Sequence, residues 1–208
     1  GAANPNQYKK IFNETKQINL EDIDLIFGKE KVRKNKLTLP KSYESLFRNI
    51  EKMFYKPALE YLLNRGLKKE DLLKYDIHYS VSDQRVLFPS YDRDHNLNYY
   101  VARSIQPFEN YKYKNAAASK REVIFNEHLI EWDKPLYVVE GIFDAILSRK
   151  NAVPILGSNV GKGSLLFKRL LQNNTEVIIA LDADAKKKII KMINELVKYN
   201  IPVTYVDW

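Results

Sequence analysis

The chain has 208 residues, no cysteine, and 34 lysines and arginines against 26 acidic residues, for a formal net charge of +8. That length allows one compact α/β domain or two small ones with a sizeable core. The missing cysteines exclude disulfides and thiolate zinc sites and suit an intracellular, cytoplasmic setting, no apolar run nears the ~20 residues that span a bilayer, and the basic excess with 14 tyrosines favours a polyanionic partner.

Residues 1–44 are polar and lysine-rich, with the basic stretch Lys29-Glu-Lys-Val-Arg-Lys-Asn-Lys36 and scattered apolar residues such as Ile23 and Phe27. They predict a linker or arm with one short helix, and Gly1-Ala2-Ala3 has the composition of a cloning scar. Between Ser45 and Asn64 apolar residues recur at near-helical spacing, interrupted by Pro57, which predicts two helices joined at that proline. Gly66 is placed to end the second, and a short helix follows around Lys69 to Leu73. Brief β-type runs come next at Ile77 to Val81, Val86 to Phe88 and Asn98 to Arg103, with turn chemistry at Tyr91-Asp-Arg-Asp-His-Asn96 between the last two. Residues 45–134 therefore predict a small, basic, mixed α+β subdomain.

From Pro135 onward strand and helix alternate: strands at 136–140, 153–156, 177–182 and 203–206, helices at 142–149, 163–172 and 185–199. Such alternation predicts an α/β domain over 135–208, with a mainly parallel sheet and right-handed crossovers. The sequence stops at Trp208 just after a strand, without a covering helix, so truncation at the C-terminus is expected.

Two acidic clusters stand where hydrophobic strands end: Leu136-Tyr-Val-Val-Glu140-Gly-Ile-Phe-Asp144 and Val177-Ile-Ile-Ala-Leu-Asp182-Ala-Asp184. Parallel strands would bring Glu140 and Asp182 to one rim, where open α/β sheets bind ligands, while Asp144 follows Glu140 by one helical turn. Unpaired carboxylates gathered there would repel one another, whereas divalent cations remove the conflict and keep coordination open for phosphates. Asp182 and Asp184 also allow a plainer reading as caps of the following helix. Glu140, ending a buried strand before a glycine, has no such general structural purpose.

The order hydrophobic strand, Glu140-Gly-x-x-Asp144, then hydrophobic strand, Asp182-x-Asp184, resembles the TOPRIM domain of DnaG-type primases, topoisomerases and some nucleases, and Leu156-Gly157-Ser158 looks like that family's strand-end turn. Upstream, Tyr61-Leu-Leu-Asn-Arg65-Gly66, Arg85-Val-Leu-Phe-Pro89, Arg103, Lys112-Tyr113-Lys114-Asn115 and Phe125-Asn126 are similar to successive signatures of the RNA-polymerase core of DnaG-type primases, in a degenerate, phage-like form. The resemblance covers about residues 45–208.

It implies template-directed synthesis of short RNA primers on single-stranded DNA, with ribonucleoside triphosphates as substrates and a replicative helicase as a partner through other regions. It implies catalytic roles for Glu140, Asp182, Asp184 and Lys112, and metal binding, to two or more Mg2+ or Mn2+ ions, by Glu140, Asp144, Asp182 and Asp184. Triphosphate or template contacts would come from Arg85, Arg103, Lys114, Lys120, Arg121, Tyr113 and Asn115, with Tyr111 and Tyr113 stacking on bases. The same acids suit a TOPRIM nuclease, and a non-catalytic nucleic-acid-binding subunit is a third reading. The zinc module that such primases carry cannot lie within a cysteine-free sequence, so weak priming by this stretch alone is expected; Asp207 is near the place of a further acidic motif.

Gly157-Ser-Asn-Val-Gly161-Lys162-Gly163-Ser164 is one residue short of a P-loop and has glycine at the hydroxyl position, so no ATPase activity is expected from it. His78, His95 and His128 are too dispersed in sequence to predict a zinc site.

Overall fold

A computed structural model describes residues 8–11, 36–157 and 160–206, the first of these by backbone alone. In chain order its elements are β1 (Tyr8–Ile11), β2 (Glu44–Ser45), α1 (Lys56–Asn64), α2 (Lys69–Lys74), β3 (His78–Ser80), β4 (Arg85–Tyr91), β5 (Leu97–Ser104), β6 (Tyr113–Asn115), β7 (Leu136–Val139), α3 (Ile142–Leu147), β8 (Ala152–Pro154), α4 (Leu165–Asn173), β9 (Val177–Ala180), α5 (Lys186–Lys198) and β10 (Val203–Val206). They fall into two compact units. One holds described residues 36–118 and 125–128, the other 8–11, 119–124, 129–157 and 160–206.

The first unit is an antiparallel sheet of order β2-β3-β4-β5-β6. Its hairpin β4–β5 turns at residues 92–96, where the Asp92 carboxylate accepts the backbone N–H groups of Asp94 and Asn96. Arg85 through Ser90 of β4 are all buried, so this strand is covered on both faces. Pro89 is tolerated within β4 because the β3 register stops at Leu87, leaving that flank unpaired. Buried hydrogen bonds from Ser90 Oγ to Asn98 Oδ1, from the Asn126 N–H to Ser90 Oγ and from the Tyr91 N–H to Asn126 Oδ1 tie residues 125–128 to this hairpin. Asn126 sits at φ 52°, a left-handed conformation that asparagine adopts more readily than most residues.

The helices before the sheet differ from the expectation of two joined at Pro57. Phe47–Asn49 and Met53–Tyr55 are single 3-10 turns, and α1 begins at Lys56 with Pro57 in its first turn. Proline belongs there because the first N–H groups of a helix have no intrahelical partner to lose. Gly66, at φ 92°, ends α1 as expected, with the Leu67 N–H returning to Leu62 O at 3.1 Å.

The α/β unit has strand order β1-β10-β9-β7-β8, with parallel pairs β10/β9, β9/β7 and β7/β8. Its core is Leu136, Val138, Ile179 and Val203 of the sheet packed against Phe167 and Leu170 of α4 and Met192, Ile193 and Leu196 of α5. Spacing of three and four along α5 puts those last residues on one face. One strand comes from the stretch expected to be an arm: β1 pairs antiparallel with β10, Tyr8 opposite Val206. The basic stretch Lys29–Lys36 save its last residue, Ile23 and Phe27 of the expected arm, residues 1–3 and Asp207 lie outside the described residues.

From β7 the chain crosses to β8 on one flank and then to β9 on the other. The carboxyl ends of β7 and β9 thus form a topological switch point, the place where open α/β sheets leave a crevice for ligands.

Candidate functional site

Glu140 follows β7 directly and Asp182 stands two residues past β9, in a register that sets Val139 opposite Ala180. The sheet therefore carries both acids to the switch-point rim. Glu140 is 37% exposed and its Oε1 accepts from Lys188 Nζ, in the first turn of α5, at 3.2 Å. Asp144 serves the backbone instead, its Oδ2 accepting the Gly141 N–H at 2.8 Å and so capping the start of α3. A Cβ on Gly141 would lie 3.1 Å from that oxygen, so the glycine makes room for the cap. Asp182 and Asp184 are exposed, and the Asp182 side chain accepts no capping bond. The plainer reading of Asp182 as a helix cap is thereby removed.

Lys120 and Arg121 occupy a 3-10 turn of the same unit. Lys120 was expected to meet phosphate, but its Nζ donates to the Leu156 carbonyl at 2.7 Å, and Leu156 and Gly157 both have left-handed backbone, at φ 52° and 79°. The lysine steadies the turn after β8. Beyond it, Ser164 of the P-loop-like stretch caps α4 by accepting the Phe167 N–H at 3.2 Å.

In the antiparallel unit the expected contact residues Lys112, Tyr113, Lys114 and Asn115 lie on β6 and just before it. Lys112, Tyr113, Lys114 and Asn115 are exposed, as are Tyr111 and, at 95%, Phe108. Arg85, expected at the substrate, is instead only 2% exposed. Its guanidinium donates to the carbonyls of Tyr111 at 2.6 Å and Lys112 at 3.1 Å and pairs with Glu109 at 3.5 Å. A buried guanidinium engaged by main-chain oxygens holds the loop instead of facing a ligand in solvent. Arg103 is half-buried: Nε donates to Tyr61 OH at 3.0 Å, Nη1 donates to Tyr113 OH, and the guanidinium lies 4.6 Å from the Tyr113 ring centroid. Burial opposes its charge, but the two phenol oxygens outweigh that and raise its pKa. Arg103 thus orients Tyr113 and ties the Tyr61 signature to β6. His95 and His128, 33 positions apart in sequence, lie with ring centroids 4.9 Å apart because the hairpin turn and residues 125–128 meet.

No protein-family model matches the chain. It is 28% identical over 135 residues to a DNA primase of Mycoplasma genitalium, a match covering 60% of this chain and 22% of that protein. It is 29% identical over 155 residues to an uncharacterized protein, MG010, of the same organism, covering 70% of this chain and 71% of the other. Among solved structures it matches a DnaG primase catalytic domain bound to ssDNA with a TM-score of 0.63 and 17% identity, over 77% of this chain and 66% of that one. The chain has the fold of the DnaG catalytic core. The chain spans about a fifth of the length of the curated primase that it matches.

Among the described residues, no group of three or more histidines or acids is placed to hold one metal ion. The four-carboxylate cluster expected from sequence is not assembled: Glu140 is engaged by Lys188, and Asp144 by the Gly141 N–H. The donor chemistry nevertheless fits a hard divalent cation, all oxygen and all carboxylate, and Glu140 already holds a cation in the form of the Lys188 ammonium. Two residues, one in each unit, escaped sequence reasoning. Lys188 was signalled by three lysines in the first turn of α5, where the helix macrodipole disfavours positive charge. Phe108 was signalled by a lone large aromatic within a polar loop.

Proposed function

We propose that the chain is the catalytic core of a DNA primase, which joins ribonucleoside triphosphates into a short RNA primer along a single-stranded DNA template. One observation carries the reading: in a DnaG-type core fold, Glu140 and the Asp182/Asp184 pair stand at the carboxyl ends of adjacent parallel strands, at the topological switch point. Primer extension joins a 3'-hydroxyl to the α-phosphorus of an incoming nucleotide and releases pyrophosphate. Bound Mg2+ or Mn2+ would supply charge neutralisation at the attacking and departing oxygens. Glu140, Asp182 and Asp184 would hold it, with Asp144 shaping the turn beside Glu140. Lys112 and Lys114 would meet phosphates, Arg121 would add charge, and Tyr111, Tyr113 and Phe108 would stack on bases. Arg85 and Arg103 act through these residues as positioning groups. The reading extends to a replicative helicase as partner and to a cytoplasmic place of work; no described helix is long and apolar enough to cross a membrane.

The test is incorporation of labelled ribonucleotides on a single-stranded template with Mg2+ or Mn2+, comparing the unmodified protein with Asp182→Ala. Template-dependent oligoribonucleotides lost in the variant support primer synthesis. Strand scission without incorporation would point to a nuclease, and template binding with neither activity to a binding module.

A further inference from the structure

Lys188 is the unexpected member of the acidic rim. Its element opens with Lys186-Lys187-Lys188 and has no acidic residue in its first turn, although the positive end of a helix dipole disfavours lysine there. Lys186 and Lys187 are exposed, whereas the Lys188 side chain is 23% exposed and ends 3.2 Å from Glu140 Oε1, 48 positions away in sequence. Asp182 and Asp184, close before α5 in sequence, are exposed. One of the three acids that would hold metal is thus neutralised from within the protein.

We infer that the Lys188 ammonium is a built-in placeholder cation for Glu140, which a divalent metal ion must displace before the carboxylate can coordinate it. The inference rests on the metal role of Glu140 in primer synthesis proposed above. Its physical basis is competition: the ammonium on Oε1 occupies part of the carboxylate's acceptor capacity and blocks its use of both oxygens, and a fixed positive charge beside the site opposes the approach of a dication. The ammonium also keeps the metal-free rim from accumulating unopposed negative charge. A lysine at this position therefore weakens metal binding to the free protein while steadying the site between occupancies.

The experiment is a titration of the full chain with Mn2+ alone, without nucleotide or nucleic acid, followed by the electron paramagnetic resonance signal of free Mn2+. Lys188→Met is expected to bind Mn2+ about three- to tenfold more tightly than the unmodified protein, Lys188→Arg to bind like it, and Glu140→Gln to bind about tenfold more weakly. The advantage of Lys188→Met should shrink as NaCl rises, because exposed charges are screened. Equal or weaker binding by Lys188→Met, with Glu140→Gln still impaired, overturns the placeholder role and leaves the metal site standing. Indifference of Mn2+ binding to Glu140→Gln overturns the metal role of Glu140, and the placeholder with it. Thermal unfolding without metal separates a purely structural ion pair, which would lower the melting temperature of Lys188→Met without tightening Mn2+ binding and so overturn the placeholder role as well.

Discussion

The two units prepare their charged groups in opposite ways. In the α/β unit the carboxylates of Asp182 and Asp184 are exposed without a capping or ion-pair partner among the described residues, and Glu140 is held only by a half-buried lysine. In the antiparallel unit the guanidinium groups of two motif arginines are already committed: Arg85 to two main-chain carbonyls and Glu109, Arg103 to two phenols. The acids at the rim have few protein partners, whereas the loop before β6 is fixed by its own protein. On the proposed function that difference is useful: a metal ion would bring enough charge to organise its ligands, but a flexible single strand would not, so the surface that receives it would gain from being fixed beforehand.

The sharpest break of this comparison is at the acids. Asp182→Ala should lower ribonucleotide incorporation by about a thousandfold or more with no loss of folding, because its carboxylate supports nothing structural; circular dichroism beside the incorporation assay checks both halves. Arg85→Ala should do the reverse. Removing a buried guanidinium strands two carbonyls and Glu109, so we expect a loss of about 3 kcal/mol of stability in urea unfolding, with weakened single-strand binding as a consequence of the loosened loop. Phe108→Ala should leave stability unchanged, since the ring is in solvent, and weaken binding to a single-stranded oligonucleotide by about 1 kcal/mol in fluorescence anisotropy.

The smallest effect concerns pH. Burial pushes the pKa of His128 down, with nearby His95 acting in the same direction, so this imidazole is held neutral in the folded protein. A histidine with a depressed folded value contributes stability above its unfolded value of about 6.5 and loses it as pH falls through the folded one. Asp76, which accepts from Tyr91 OH at 2.6 Å and from His78, behaves likewise in a lower window: burial opposes its charge, the hydrogen bonds outweigh that, and stability is lost only below 3.8. Urea midpoints should therefore drop as the buffer goes from about pH 7 to 5, and His128→Gln should flatten that slope. An unchanged slope would detach the drop from His128.

The helix and strand periods of residues 136–206 were legible because they are local: each strand's apolar run and each helix's three-and-four spacing identify themselves within about ten residues. The acids at the ends of β7 and β9 were legible for the same reason, as position in an element fixes position on a parallel sheet's rim. Pro57 was misread because a proline that breaks a helix and one that starts a helix look alike until the preceding turns are known. Arg85 was misread because an arginine at the head of an apolar strand motif gives no sign of whether its guanidinium faces solvent or its own main chain.

By itself, then, the amino-acid sequence determined the alternation of elements, the lysine-tyrosine pattern at 111–114 and the acids at the strand ends, all set by short-range periodicity and composition. Only the tertiary structure decided that β1 closes the sheet edge against β10, that Arg85 reaches Tyr111 and Lys112, that His95 meets His128 and that Lys188 meets Glu140. Each of those joins residues far apart in the chain. Which of many possible long-range partners is made is settled by burial and sheet register together, a choice that no local pattern encodes.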